Sequence, residues 1–400
     1  MPIKPLSINV LEAARQRIAF VFDNFEKIYC SFSGGKDSTV MTHLVMEEAI
    51  KRGRTIGLFF LDWECQFTLT IDHVRSIFEM YSDNIIPMWV ALPIKTWNGC
   101  SQIEPEWVAW GENKKSLWVR NPDPLSITNP KVFPFYKNEM MFEEFTPKLA
   151  EWYSGNNSCA CFIGIRTMES LNRYRSMALM EKPMYKGKSW TTHVSMHTWN
   201  VYPIYDWKVE DVWTYCGKYK KPYNKLYDRM YQAGLTLSQM RIDEPFGDTQ
   251  RRGLWLYQII EPKLWAKMCI RIAGANLGSV YAEEKGNVLG NRSVTLPKGH
   301  SWKSFAELLL HTMPIKTSNH YQNKIAVYLH WYQKHGYPEG IPDCLEGDLG
   351  SHDIPSWRRI CKTLLRNDYW CKGLNFSPTK TTSYEKYLKL MQKRRALWNL

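Results

Sequence analysis

Ile28-Tyr29-Cys30-Ser31-Phe32-Ser33-Gly34-Gly35-Lys36-Asp37-Ser38 is the stretch of the chain that indicates the fold most directly. Its first five residues predict a short strand. The residues from Asp37 to Lys51 carry apolar side chains at helical spacing and predict a helix. Two glycines at the junction permit a sharp turn of the backbone. The stretch therefore predicts a strand, a glycine loop and a helix in direct succession.

The alternation of strands and helices continues downstream of this stretch. Further strands are predicted at 55–61, 85–92 and 160–165. Helices are predicted at 11–27, 69–81 and 139–153. The run 55–61 is almost continuously apolar, as in strands covered on both faces. This pattern predicts an α/β fold with a Rossmann-like parallel sheet and helices on both faces.

The composition favours an anionic partner. The formal net charge is +13, and the chain contains 18 Trp and 22 Tyr, which stack on bases when they are exposed. A basic tail, Lys393-Arg394-Arg395, adds to this signal, so DNA or RNA is a candidate partner. No apolar run reaches the ~20 residues of a membrane-spanning helix, and the first residues do not resemble a secretory signal. We therefore expect a cytoplasmic protein with no membrane association.

The glycine loop has the features of an anion-binding turn. Gly34 and Gly35 let successive backbone N–H groups converge on an anion, assisted by the positive end of the following helix. Ser33 and Ser38 add hydroxyl donors, and Lys36 adds a positive charge. Asp37 is a candidate ligand for Mg²⁺, which prefers oxygen ligands. The alternative is a tight turn with a capping Asp, which explains neither the lysine nor the pair of serines.

Four motifs resemble those of the PP-loop ATP pyrophosphatase and phosphoadenosine-phosphosulfate (PAPS) reductase family. The first is the loop Ser33–Ser38 itself. The others are Leu61-Asp62-Trp63-Glu64, then Gly164-Ile165-Arg166-Thr167-Met168-Glu169-Ser170 with Arg173 and Arg175, and finally Tyr202-Pro203-Ile204-Tyr205-Asp206-Trp207 with Pro222-Tyr223-Asn224-Lys225-Leu226-Tyr227. They occur in the family's order and span about residues 27 to 235, so together they are far more specific than any one alone.

The resemblance implies an adenine nucleotide alpha hydrolase-like fold that binds ATP or PAPS. The nucleotide-binding residues that it implies, with those of the loop, are Ser33, Gly34, Gly35, Lys36, Asp37, Ser38, Asp62, Gly164, Arg166, Glu169 and Arg173. Catalytic roles fall to Lys36, Asp37 and Arg166. For Arg173 and Arg175 a solvated helix face is an equally good interpretation.

The chain departs from the reductases of this family in its cysteines. The Glu-Cys-Gly-x-His context of the nucleophilic cysteine is absent, and so are the Cys-Cys and Cys-x-x-Cys pairs of an iron–sulfur cluster. We therefore expect no iron–sulfur cluster and doubt sulfonucleotide reduction. The segment 239–248 stands where the reductase cysteines are expected. Here the chain resembles the immunoglobulin-binding regulator A type subgroup, whose members are often encoded beside a ParB-like protein.

These observations predict two domains. Residues 1–250 form a PP-loop nucleotide-binding domain with an insertion at about 95–137, and 251–400 form a mainly helical domain with helices near 304–311, 322–335 and 384–398. The leading functional hypothesis is an enzyme that binds ATP with Mg²⁺, cleaves between the α and β phosphates and transfers AMP to an acceptor, in sulfur transfer or nucleic-acid modification. One alternative is a PAPS-binding sulfotransferase or reductase. Another is a non-catalytic nucleotide sensor or nucleic-acid-binding module that works with a ParB-like partner.

Overall fold

The computed structural model describes residues 7–101, 104–170, 173–174, 177, 183–247, 253–280, 295–349, 354–366 and 368–376. The chain forms two compact units. Unit 1 comprises Met1–Thr96, Val108–Pro245 and Leu256–Arg271, and unit 2 comprises Trp97–Trp107, Phe246–Trp255 and Ile272–Leu400. Arg175, the tail 393–395 and the predicted helix at 384–398 lie outside the described residues.

All four predicted strands are present, together with further strands. The strands are β1 (Lys27–Ser31), β2 (Ile56–Leu61), β3 (Ile85–Val90), β4 (Ile94–Trp97), β5 (Glu106–Ala109), β6 (Met140–Met141), β7 (Cys159–Ile163), β8 (Thr191–Ser195) and β9 (Thr198–Val201). Six of them form the main sheet in the order β3-β2-β1-β7-β9-β8. All neighbours in this sheet are parallel except β8, which runs antiparallel to β9 at one edge. The predicted parallel sheet is confirmed, with an antiparallel edge strand added to it.

Helices lie between the strands of unit 1 and are the main regular elements of the described part of unit 2. They are α1 (Val10–Asn24), α2 (Lys36–Lys51), α3 (Thr68–Met80), α4 (Phe142–Ser154), α5 (Val209–Lys218), α6 (Leu226–Gln232), α7 (Leu254–Ile260), α8 (Pro262–Arg271), α9 (Ala275–Val280), α10 (Trp302–Thr312), α11 (Ile315–Lys334) and α12 (Trp357–Leu365). The predicted helices near 304–311 and 322–335 lie within α10 and α11. The α/β fold class with a helical C-terminal region is confirmed.

The core of unit 1 lies between the sheet and its helices. Every residue of β2 is buried, as its continuous apolar pattern predicts. Val45 on α2 and Val21 on α1 are fully buried in the same apolar cluster as Leu58 of β2 and Phe162 of β7. Burial of such side chains contributes about 1.5–3 kcal/mol each. The sheet is therefore a rigid platform for the loops that leave its strands.

Unit 2 has a smaller core of its own. Tyr321 and Ile325 of α11, Ile360 of α12 and Trp302 of α10 belong to one buried cluster. Asp343 also accepts hydrogen bonds from the backbone N–H groups of Trp302 and Lys303, at 3.0 and 2.9 Å, and so caps α10. None of the described helices is long and apolar enough to cross a lipid bilayer.

The order of the strands determines where a ligand binds to this sheet. β1 lies between β2 and β7, and the chain proceeds from β1 to β2 on one side before it reaches β7 on the other. Parallel sheets bind ligands in the crevice at the carboxyl ends of the strands where the strand order reverses. The glycine loop follows β1 and Gly164 follows β7, so both lie at this point.

Candidate functional site

The glycine loop is a tight turn between β1 and α2. Only glycine fits at position 34 of this turn. Gly34 has a φ of +72°. A Cβ atom added to it would lie 2.9 Å from Cγ2 of Thr70 on α3. Gly35 is the N-cap residue of α2 and has no side chain with which to cap it. The first N–H groups of α2 are therefore arranged like those that bind anions at helix N-termini.

Ser33 and Ser38 shape this loop through hydrogen bonds with each other. Their Oγ atoms are 2.9 Å apart, and Oγ of Ser38 accepts from the backbone N–H of Ser33 at 3.2 Å. The Ser38 hydroxyl also contacts the carbonyl oxygen of Gly35 at 3.0 Å. Ser33 is exposed and Ser38 is buried. Ser38 thus stabilises the turn, whereas Ser33 is accessible to a ligand.

Lys36 lies inside the site with its charge only partly compensated. It is 3% exposed, and its Nζ donates to the carbonyl oxygen of Met240 at 2.9 Å. Oδ2 of Asp37 lies 3.6 Å from the same Nζ. Burial lowers the pKa of the Lys36 ammonium, and the charge of Asp37 opposes that shift. Its main-chain N–H donates to the hydroxyl of Tyr227 at 2.9 Å.

Asp37 and Arg166 meet across the two neighbouring strand ends. Nε of Arg166 donates to Oδ1 of Asp37 at 2.6 Å, and the arginine is 5% exposed. The approach depends on Gly164, because a Cβ atom there would lie 2.8 Å from the backbone nitrogen of Ser38. The structure therefore brings the glycine loop and the Gly-x-Arg motif into direct contact.

Glu169 organises the other arginines around this pair. Its Oε1 lies 3.5 Å from Nη2 of Arg166, and its carboxylate also contacts Arg173. Nη2 of Arg241 donates to the backbone carbonyl of Glu169 at 3.0 Å. Burial is the largest cause of a lowered pKa for Arg173. Lys36 and these three arginines thus surround the loop, with Asp37 and Glu169 between them.

Asp62 follows the last residue of β2, and its carboxylate is hydrogen-bonded to other groups of the protein. Its carboxylate accepts from the indole N–H of Trp89 at 3.0 Å and from the backbone N–H of Glu64 at 2.9 Å, and it pairs with Arg120. It is 1% exposed. The structure does not bring Asp62 into contact with the loop residues, and its role in nucleotide binding stays a prediction.

Three further residues belong to the site, and none of them is among the residues that the motifs predict to bind the nucleotide. Tyr227 contacts the backbone of Lys36, Met240 supplies a carbonyl to its ammonium, and Arg241 joins the arginine cluster. Tyr227 ends the Tyr-Asn-x-Leu-Tyr stretch, and the other two belong to the segment where reductase cysteines were expected. Arg241 therefore lies beside the predicted arginines, and a role for it in binding a substrate stays a prediction.

The surroundings of Asp37 do not favour a protein-held Mg²⁺ ion in this conformation. One carboxylate oxygen accepts from Arg166 and the other faces Lys36, so both already face cationic groups. Among the described residues, no group of three or more His, Cys, Asp or Glu side chains could hold a metal ion. The Mg²⁺ ligand role of Asp37 stays a prediction.

The cysteines of the sheet are packing residues. Cys159 and Cys161 are buried in β7, as their position in the sequence predicts. Burial raises the pKa of Cys161 to about 12 and raises the pKa of Cys159 as well. Thiols in such surroundings are protonated at neutral pH and therefore poor nucleophiles.

The parallel sheet, the glycine loop at its switch point and the cations around it define an α/β protein of the PP-loop class. The sequence model of the phosphoadenosine phosphosulfate reductase domain matches residues 27–233. The chain therefore belongs to this family of PP-loop proteins, which bind adenine nucleotides. A second model, described as a domain of unknown function (DUF3440), matches residues 234–343 and 339–385. The family predicted from the motifs is confirmed, whereas the narrower subgroup stays a prediction.

The chain is also similar to individual proteins. The chain is 48% identical, over 99% of its own length and 97% of the relative's, to the uncharacterized protein YbdN of Escherichia coli (strain K12). It is 23% identical to adenosine 5'-phosphosulfate reductase 2 of Bacillus subtilis (strain 168), over 58% of this chain and 79% of that protein. Among solved structures, PAPS reductase from Candida auris matches with a TM-score of 0.32 and 16% identity, covering 57% of this chain and 94% of that chain.

Proposed function

We propose that this chain is a cytoplasmic enzyme that binds ATP at the PP-loop, cleaves it between the α and β phosphates and transfers AMP to an acceptor. The observation that carries the proposal is the meeting of the uncapped N-terminus of α2 with buried Lys36 and Arg166. Buried cations are costly unless an anion balances them. A nucleotide's phosphates supply more negative charge than Asp37 and Glu169 do.

Nucleotide binding in this proposal is an exchange of partners. The carbonyl of Met240 accepts from Nζ of Lys36, and the hydroxyl of Tyr227 accepts from its backbone N–H. Phosphate oxygens replace both acceptors and are the stronger ones, because hydrogen bonds to charged acceptors are roughly twice as strong as neutral ones. The segment around Met240 therefore moves aside as the phosphates enter.

The proposed chemistry is a displacement at the α phosphorus. A nucleophilic atom of the acceptor forms a bond to this phosphorus, and the bond to the oxygen that bridges the α and β phosphates breaks. Pyrophosphate leaves with that electron pair, and the acceptor's proton passes to solvent. Lys36, Arg166 and the N–H groups of α2 stabilise the charge that develops on the phosphate oxygens. Catalysis is then positional and electrostatic.

The test is pyrophosphate release by the purified chain. We expect Lys36→Ala to lower the rate of release by about 10²-fold or more, as for one donor lost from such a site. Its free energy of unfolding should not fall. Lys51→Ala, which changes an exposed lysine at the far end of α2, is the matched control. Normal release by Lys36→Ala would refute the assignment.

A second candidate is a PAPS-binding sulfotransferase or reductase, which membership of the PAPS reductase domain family supports. The same cations would bind the sulfate and phosphate groups of PAPS. Competition separates the two candidates. Tight binding of adenosine 3′,5′-bisphosphate with ATP ineffective supports PAPS, and the reverse supports adenylyl transfer.

Two proposals concern partners. The net charge of +13 supports DNA or RNA as a partner, and the subgroup resemblance supports a ParB-like protein. Binding to nucleic acid should weaken steeply as salt is raised, because it releases counterions. A complex that salt leaves unchanged would contradict this part of the proposal.

A further inference from the structure

Unit 1 contains a second concave region, which none of the predicted site residues lines. This basic cleft has a volume of about 910 Å³. Its walls are the start of α3, the end of α6, the first turns of α8 and the segment around Arg120. The volume lies within the range of ~300–1,000 Å³ that is typical of small-molecule sites.

Positive charge dominates the lining of the basic cleft. Four basic side chains, Arg120, Arg229, Lys263 and Lys267, line it together with one acidic side chain, Glu261. Three of the four have no carboxylate within 4.0 Å in the part of the chain that the structure describes; these are Arg229, Lys263 and Lys267. An excess of cations in a concave surface attracts and holds anions.

The acidic residue of the cleft is already used by the fold. The carboxylate of Glu261 accepts from the backbone N–H of Thr68 at 2.9 Å and from its hydroxyl at 2.8 Å. These bonds place a negative group at the N-terminus of α3, where the helix dipole favours it. Glu261 therefore stabilises α3. Lys267 donates to the backbone carbonyl of Val119 at 3.1 Å, which leaves its positive charge without a counter-charge in the described part of the chain.

Arg120 has an unused donor. One of its terminal nitrogens pairs with Asp62 at the end of β2. Its Nε is buried and has no hydrogen-bond partner among the described residues. A buried donor without a partner costs about 1–3 kcal/mol.

Much of the remaining lining is apolar, although Thr68 and Gln232 also belong to it. Leu69, Ile260, Pro262 and Leu264 line the cleft together with Ile259, which is 62% exposed. An apolar surface beside a group of cations suits a ligand with an apolar or aromatic body and an anionic group. Inorganic anions alone would leave this surface in water.

The cleft and the PP-loop share two structural elements. Thr68 and Leu69 of the cleft are followed by Thr70, which packs against Gly34 of the loop. Arg229 lies on α6 two residues after Tyr227, whose hydroxyl accepts from the N–H of Lys36. A ligand in the cleft is therefore bound by the same helices that position the loop.

We propose that the basic cleft binds the acceptor, a small molecule with an apolar or aromatic body and a phosphate, sulfate or carboxylate group. Only its role as acceptor rests on the proposed function. Binding of such an anion does not depend on any activity at the PP-loop. The two claims therefore fail separately.

The test uses 1-naphthyl phosphate as the probe and 1-naphthol as its neutral counterpart, titrated calorimetrically into the full chain. We expect the phosphate to bind and the alcohol to bind at least about fivefold more weakly. Lys263→Gln/Lys267→Gln should weaken binding of 1-naphthyl phosphate by a similar factor. Lys51→Gln/Lys131→Gln, which removes the same charge elsewhere, should leave it unchanged, and Lys36→Ala should also leave it unchanged.

Four results would overturn the proposal. These are no binding of 1-naphthyl phosphate, equal binding of 1-naphthol, an equal loss in the control pair, and loss in Lys36→Ala, which would assign the probe to the PP-loop. Binding at the cleft by a chain that releases no pyrophosphate from ATP would contradict the proposed function alone. The cleft would then remain a binding site without an acceptor role.

Discussion

Two polar clusters lie at the carboxyl ends of neighbouring strands, and they differ in what balances their charges. After β1 and β7, Lys36 and Arg166 are balanced in part by the carbonyl of Met240 and by the carboxylates of Asp37 and Glu169. After β2, the carboxylate of Glu64 accepts hydrogen bonds from Nε and Nη2 of Arg271, at 2.8 and 2.9 Å. Polar groups thus gather at both strand ends. Their bonding partners within the protein decide whether these groups are available to a ligand.

The β2 cluster is closed to ligands. Glu64 is fully buried and also accepts from the backbone N–H groups of Trp110 and Val119, at 2.8 and 3.4 Å. Its own φ is +62°, a region that residues other than glycine rarely occupy. Such a conformation persists only where the surroundings enforce it. The cluster therefore fixes the loop after β2.

The largest expected effect comes from removing the negative charge of Glu64. Glu64→Gln leaves the buried guanidinium of Arg271 without a counter-charge and should lower the free energy of unfolding by about 3–5 kcal/mol. Urea denaturation of unit 1, followed by tryptophan fluorescence, measures the loss. Glu112→Gln, which changes a carboxylate that is 68% exposed, is the control and should stay within about 0.5 kcal/mol of the parent.

A double variant sharpens this result. Glu64→Gln/Arg271→Met removes both charges, and we expect it to recover part of the lost stability. A single variant as stable as the parent would show that the pair is not needed. The contrast between the two clusters would then have no energetic basis.

The next largest effect concerns the cluster after β1 and β7, which contains Lys36 and Arg166. Arg241→Gln removes an exposed cation that donates to the carbonyl of Glu169. We expect ATP to bind about tenfold more weakly, because one charge-assisted contact to phosphate is lost. Isothermal titration measures this, and the unfolding midpoint should not change. Arg15→Gln, at an exposed pair with Glu47, is the control. Unchanged affinity in Arg241→Gln would place that side chain outside the site.

A smaller effect on stability is expected when the buried hydroxyl of Tyr227 is removed. Tyr227→Phe removes the acceptor of the Lys36 N–H and should destabilise the free chain by about 1 kcal/mol. Saturating ATP should recover much of this loss, because a phosphate oxygen replaces the hydroxyl. Thermal unfolding with and without ATP measures both values. Tyr231→Phe, on the same helix and 67% exposed, is the control. A deficit that ATP leaves intact would contradict the exchange of partners.

The smallest effect is a dependence on pH. Burial lowers the pKa of Lys36 below its ordinary value of 10.5. The ammonium therefore loses its proton earlier on an alkaline titration than an exposed lysine does, and ATP affinity should fall over that earlier range. Lys36→Arg keeps its charge there and should give a flat profile. Affinity of the parent that stays constant up to the ordinary lysine range would contradict a buried, ligand-facing Lys36.

Much of the fold follows from local patterns. The strand and helix on either side of Gly34 and Gly35, the buried β2 and α10 were predicted within a few residues. They follow because apolar periodicity and glycine conformation act over short distances along the chain. The predicted helix near 322–335 corresponds to α11, which begins seven residues earlier, and α9 and α12 were not predicted. The antiparallel edge strand β8 was not predicted, since its pairing with β9 depends on a distant part of the sheet.

The chain's own sequence determined the loop, its anion-binding chemistry and the family to which it belongs, because those depend on residue types at fixed spacing. Only the tertiary structure placed Tyr227, Met240 and Arg241 at Lys36, which lies about 200 residues away along the chain. The tertiary structure also determined that the Asp62 carboxylate accepts from the indole of Trp89, whereas Nζ of Lys36 donates to a neutral backbone carbonyl. The physical reason is that the balance of a buried charge depends on which groups surround it in space.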